Sequence, residues 1–215
     1  MAKVRIAGTI VSNDEKWMYD WWEIEAFCYA DLAKAIKNEM EEVIVEINSP
    51  GGSVFAGSEI YTALKKHKGR VTVDITGLAA SAASVIAMAG DVVRMAPTAQ
   101  LMIHNVSAIG RGDYRTMDHL SDVLKQANET IANAYMLKSG KKKEELLAMM
   151  DKEKWFTPQE AKEYGLIDEI LFEEPQTAKL VAMIKPSILP LEVINKMKRK
   201  KEQEELDLLK TKGVN

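Results

Sequence analysis

Twice in this chain a β-branched run passes through a glycine-bearing turn into a helical pattern. That succession constrains the fold more than any other feature. Val43-Ile44-Val45-Glu46-Ile47 leads into Asn48-Ser49-Pro50-Gly51-Gly52 and then a helical pattern from Val54 to His67. Val71-Thr72-Val73-Asp74-Ile75-Thr76 repeats the strand, Gly77-Leu78 the turn, and Ala79 to Ala89 the helix. Runs of this kind are found in buried strands. Strand, crossover helix and strand in succession imply right-handed βαβ units and a largely parallel sheet. The expected class is α/β.

The flanks extend that pattern. Val4 to Val11 reads as an opening strand that stops at Ser12-Asn13-Asp14, and Asp31 as the N-cap of a helix carrying Leu32, Ala33, Ile36 and Met40. Val92-Val93-Arg94-Met95 and Leu101-Met102-Ile103 read as further short strands. From Asp113 to Ser139, apolar residues at Met117, Leu120, Leu124, Ala127, Ile131 and Tyr135 mark a long amphipathic helix. A short helix is expected over Leu146–Met150, and Thr157-Pro158-Gln159-Glu160 has the form of a cap with proline at the first helical position. After Phe172 the character changes, at Glu173-Glu174-Pro175. The division expected is a folded domain over residues 1–172 and a charged helical extension over residues 173–215.

Composition narrows the function. A formal charge of −3 gives no reason to expect nucleic acid or an anionic membrane as partner. Cys28 is the only cysteine, which rules out an intrachain disulfide and a cysteine-rich zinc site. The most apolar run, Gly77 to Gly90, is too short to span a bilayer, and the first residues lack a signal-peptide core. The expected location is cytoplasmic.

A hydroxyl nucleophile needs a base within reach, a group to orient that base, and N–H donors for the developing oxyanion. A tight turn from strand into helix projects a side chain and aims helix N–H groups at the reacting carbon. Ser81, in Gly77-Leu78-Ala79-Ala80-Ser81-Ala82-Ala83-Ser84, occupies such a place. The same small-residue segment also suits a closely packed helix, and Ser84, one turn on, competes with Ser81 or serves as a packing residue. Ser49, Ser53 and Ser58 suit a turn, a cap and a helix surface. His104 follows a strand, where it is available as a base or bonded to local backbone. His67 and His119 suit exposed or rim positions. Asn48 to Gly52 offers backbone N–H groups but lacks both the P-loop lysine and a GxGxxG spacing. Asp151 and Glu153 are candidates to orient a histidine.

Taken in order, Ile47 to Gly52 with Ala56-Gly57, Gly77 to Ala82, Met102-Ile103-His104, and Glu160-Ala161 through Asp168 strongly resemble the ClpP family of serine peptidases. The resemblance covers roughly residues 43–170. It implies the ClpP/crotonase-like spiral of βαβ units with a protruding long helix. It also implies Ser81 as nucleophile, His104 as base, and the backbone N–H groups of Gly52 and Ala82 as oxyanion donors. Counting back from Glu163-Tyr164-Gly165-Leu166 puts the orienting acid on Glu153, with Asp151 as the alternative. If that segment is extended, both side chains face the same way. No cofactor or metal is called for.

The N-terminal region resembles the phage and prophage branch, whose members are head maturation proteases. Trp17-Met18-Tyr19-Asp20-Trp21-Trp22 stands where the housekeeping enzyme has a longer segment. The resemblance thus implies an ATP-independent serine endopeptidase acting through an acyl-enzyme on polypeptide substrates, capsid and scaffold proteins among them. It implies homo-oligomeric rings, stacked heptamers, and speaks against an ATP-driven (AAA+) unfoldase as partner. The competing expectations are a degradative enzyme served by such an unfoldase, and a non-catalytic assembly module on the same fold.

Overall fold

The computed structural model describes residues 1–173 and Lys200. The chain divides into two units, Met1–Phe172 and Glu173–Asn215. Apart from Glu173 and Lys200, the expected helical extension over residues 173–215 lies outside the described residues.

The first unit is α/β, with a parallel sheet at its centre, as expected. In chain order its elements are β1 (Ala2–Ile10), α1 (Lys16–Trp21), β2 (Ala26–Phe27), α2 (Tyr29–Ala35), β3 (Val43–Gly52), α3 (Val54–Lys66), β4 (Val71–Ala80) and α4 (Ala82–Ala87). They continue as β5 (Val92–Met95), β6 (Gln100–Ile103), α5 (Tyr114–Ser139), α6 (Lys143–Met150), β7 (Lys154–Phe156), α7 (Pro158–Glu163) and β8 (Glu169–Ile170). The strand order is β2-β1-β3-β4-β5-β8, all parallel. β6 pairs in parallel with the far end of β4, and β7 lies antiparallel to β6.

Alternation along β3 explains the packing. Val43, Val45 and Ile47 are buried in the core, while Ile44 and Glu46 on the opposite face are only half-buried. Ile60 and Leu64 of α3 and Ile86 of α4 belong to the same core. In α7 the expected cap is present: Thr157 Oγ1 accepts the Glu160 N–H, and the Glu160 carboxylate accepts the Thr157 N–H at 2.9 Å.

Several boundaries differ from the sequence reading. Asn48 to Gly52 is not a turn but the end of β3, because Thr9 and Ile10 of β1 pair with Gly51 and Gly52. A register shift between Ile47 and Ser49 admits the irregular stretch. Likewise β4 runs through Gly77 and Leu78 to Ala80, held by pairing with Gln100 to Met102 of β6. The following helix therefore begins at Ala82 rather than Ala79. Asp31 is not an N-cap but the third helical residue. Its carboxylate reaches back to the Cys28 N–H at 3.2 Å, and the helix ends at Ala35, leaving Met40 exposed.

α5 starts at the Asp113 cap and ends at Gly140, whose left-handed φ of 68° suits the residue after a helix. Its buried residues, Ile131, Ala132, Ala134 and Tyr135, all lie toward its C-terminal end. The helix is therefore anchored at one end and projects at the other. Among the described residues no helix is long and apolar enough to cross a membrane.

Candidate active site

β4 ends at Ala80 and α4 starts at Ala82, so a single residue, Ser81, makes the turn between them. Its backbone has φ 54° and ψ −126°, a region that a non-glycine residue adopts only when its surroundings impose it. Here the constraint is visible. The Ser81 N–H donates to the Met102 carbonyl on β6 at 3.0 Å, and its own carbonyl accepts the Ser84 N–H at 3.0 Å. Both sides of the residue are thus fixed, one by the sheet and one by the helix.

β6 pairs with the last residues of β4, so the residue that follows it emerges beside Ser81. That residue is His104, and its Nε2 lies 2.8 Å from Ser81 Oγ. Both side chains line a cavity of about 220 Å³. Gly52 and Ala82 line it as well, with an apolar wall that includes Val54, Val85, Ile131 and Tyr135. Ala82 is the first residue of α4, where N–H groups have no partner within the helix.

Glycine is needed at the end of β3. Gly51 has φ 97°, and a Cβ there would stand 2.7 Å from Ser81 Cβ and 2.6 Å from the Ala80 carbonyl oxygen. The strand can pass this close to the serine only because the residue has no side chain. Sequence reasoning singled out Gly52 and overlooked Gly51. The adjacent glycine pair was the available signal.

The two acidic candidates part company. Residues 151–153 form a turn, and Glu153 has φ 48°, so the extended segment that would have aligned them is absent. Glu153 Oε2 lies 4.0 Å from His104 Nδ1, and its Oε1 accepts the Trp155 indole N–H at 3.3 Å. Asp151 instead accepts the Asn105 side-chain amide at 2.8 Å. The antiparallel register explains the choice. Ile103 pairs with Lys154, so the next position outward sets His104 beside Glu153.

Other candidates fall outside the constellation. Ser84 is fully buried and its hydroxyl donates to the Ser81 carbonyl at 2.6 Å. His67 Nε2 donates to the Glu41 carbonyl at 2.7 Å, and His119 is exposed on α5. Ser53 caps α3, and Ser49 donates to the Gly8 carbonyl at 2.6 Å. Ser58, expected on a helix surface, is half-buried and lines the cavity, because that turn of α3 faces the site.

Comparison with known proteins adds an independent line. A family model described as Clp protease matches residues 24–174. The aromatic stretch Trp17–Trp22 lies before that match. The ATP-dependent Clp protease proteolytic subunit of Deinococcus radiodurans is 35% identical over 137 residues, covering 63% of this chain and 67% of the relative. Proteolytic subunit 1 of Chlamydia abortus is 35% identical over 142 residues, covering 64% and 73%. The corresponding subunit of Bacteroides fragilis is 33% identical over 136 residues, covering 62% and 66%.

Proposed function

Because the chain belongs to the Clp protease family and is a serine-type peptidase, we propose that Ser81 is its nucleophile, His104 its general base and Glu153 the acid that orients the base. The observation that carries this assignment is the 2.8 Å contact between Ser81 Oγ and His104 Nε2 at the wall of a cavity. For Ser81 to donate in that contact, Nε2 must be unprotonated, which leaves the ring proton on Nδ1, facing Glu153.

Ser81 Oγ attacks the scissile carbonyl carbon while Nε2 takes its proton. The resulting oxyanion accepts N–H donors from Gly52 and Ala82. His104 returns the proton to the leaving amine, the C–N bond breaks, and an ester on Ser81 remains. Water, deprotonated by His104, then attacks the ester and frees the carboxylate product and the serine. Glu153 stabilises the imidazolium formed in both halves of the cycle. Its side chain is 59% exposed, so that support is screened by solvent.

The assignment is tested by fluorophosphonate labelling and fluorogenic peptide hydrolysis of Ser81→Ala. Both signals should vanish. Labelling retained in Ser81→Ala but lost in Ser84→Ala would move the nucleophile by one helical turn.

The finer reading is an ATP-independent endopeptidase of phage or prophage heads, acting on capsid and scaffold proteins in the cytoplasm as a homo-oligomeric ring, without an AAA+ unfoldase. Its domain spans residues 1–172, with 173–215 as an appended extension. The support is the motif resemblance, together with the aromatic stretch ahead of the family match. In that stretch Trp17, Trp21 and Trp22 are 64%, 76% and 73% exposed. Cleavage of a folded scaffold protein at discrete sites without ATP supports this reading. Casein hydrolysis that starts only when ATP and an unfoldase are added places the chain with the degradative enzymes instead.

A further inference from the structure

The geometry points to Ser84 and Tyr135 as positioning residues that fix the direction of the Ala82 N–H, acting through the carbonyl of Ser81. The inference rests on the assignment of Ser81 and of the oxyanion donors made above. Ser84 Oγ lies 2.6 Å from the Ser81 carbonyl oxygen and 2.8 Å from Tyr135 Oη. The carbonyl has no hydrogen, so Ser84 must donate to it. A hydroxyl has only one hydrogen, so the contact with Tyr135 must be a donation from Tyr135 to Ser84. The direction of the chain is therefore determined: Tyr135 to Ser84 to Ser81.

The Ser81 carbonyl and the Ala82 N–H belong to one peptide unit. In a planar trans peptide these two groups point in opposite directions. Whatever holds the carbonyl on the helix side therefore holds the N–H on the cavity side. This peptide follows a residue at φ 54°, where the backbone does not settle by its own preference. The helix N–H groups of Ser84 and Val85 also reach the carbonyl, at 3.0 and 3.3 Å, and the shortest contact is the Ser84 hydroxyl.

The two residues are well suited to this task. Ser84 and Tyr135 are 0% and 1% exposed, so no water competes for the chain. Burial raises the Tyr135 phenol well above its ordinary value, so it remains a donor throughout the working range. Tyr135 sits on the anchored part of α5, which ties this helix to the peptide bearing the proposed oxyanion donor. An apolar pair at the two positions would fill the same space without constraining the peptide.

The test compares Ser84→Ala, Tyr135→Phe and the double variant, well below their unfolding midpoints, in fluorogenic peptide hydrolysis and in inhibition by a peptide aldehyde. The aldehyde forms a tetrahedral adduct whose oxygen needs the same donors, whereas for a peptide amide whose acylation is the slow step KM reports substrate before attack. Each single variant should lower kcat by about fivefold to tenfold, the worth of one hydrogen bond, with KM little changed. Affinity for the aldehyde should fall in parallel. The double variant should be no slower than Ser84→Ala, because Tyr135 acts only through Ser84. Unchanged kcat in both single variants, additive losses in the double variant, or a loss confined to KM in Tyr135→Phe would each overturn the inference. Ser81→Ala tells that failure apart from failure of the nucleophile assignment, since it alone reports on the latter.

Discussion

Glu153 presents its Oε2 to His104 Nδ1 at 4.0 Å, beyond hydrogen-bond reach, from a backbone held at φ 48°. A carboxylate at that distance can act on an imidazole chiefly through its charge. Glu153→Ala should lower kcat by about tenfold to a hundredfold, less than a buried, directly bonded acid would cost. Asp151→Ala should cost no more than about threefold, because Asp151 reaches the site only through the Asn105 amide. Steady-state hydrolysis of one fluorogenic peptide by both variants gives the ranking. The reverse order would hand the orienting role to Asp151.

Ser81→Ala and His104→Ala should each lower kcat/KM by at least about a thousandfold, and the double variant should be no worse than either alone. In the proposed roles the two residues act as a unit, so removing the second removes nothing further. Steady-state peptide hydrolysis at equal concentrations of folded protein is the measurement, and additive losses would mean the two residues work separately.

Gly51→Ala tests the close approach of β3 to Ser81. The new methyl would have to share space with the Ala80 carbonyl and Ser81 Cβ, at a φ of 97° that alanine tolerates poorly. We expect a loss of about 2 kcal/mol or more in stability together with loss of fluorophosphonate labelling. Denaturant unfolding and labelling on the same sample check it. A variant of unchanged stability and rate would show that the strand can retreat from the serine.

Glu160 gives the acid dependence. Its hydrogen bond from Lys154 and those from Thr157 hold its carboxyl down at about 2. A carboxyl with a depressed folded-state value contributes stability above its unfolded value, and that contribution fades as pH falls from about 4.5 toward 2. The side chain is 40% exposed, so after solvent screening the effect should stay below about 1 kcal/mol. Urea unfolding of Glu160→Gln and the parent should therefore differ at pH 7 and converge below pH 3. A gap that persists at low pH would point to packing rather than charge.

How much of this could be read from the sequence depends on whether the cause was local. The β-branched runs at Val43 and Val71 marked their strands, and Thr157-Pro158-Gln159-Glu160 marked its helix start, because each signal lies within its own segment. Asn48 to Gly52 and Gly77-Leu78 misled, since they carry turn chemistry while their partners in β1 and β6 draw them into the sheet. The order of the motifs singles out Ser81 and His104, which the structure sets 2.8 Å apart. Tyr135 reads only as part of an apolar helix face, and its hydrogen bond escapes notice because its partner Ser84 lies far off along the chain. So do the paired Asp74 and Arg94, whose two hydrogen bonds of 2.7 and 2.8 Å exist only because β4 and β5 set them opposite one another.

The antiparallel pairing of β6 with β7 also bears on the order of folding. Ser81 and His104 follow strands close together in sequence, so the loop that joins them closes readily. Glu153 arrives only after α5 and α6 have turned the chain back on itself, and such distant pairings form late because more chain must be ordered first. A growing polypeptide thus holds Ser81 and His104 well before it holds Glu153. The proposed orienting acid reaches its histidine only once β7 has paired with β6.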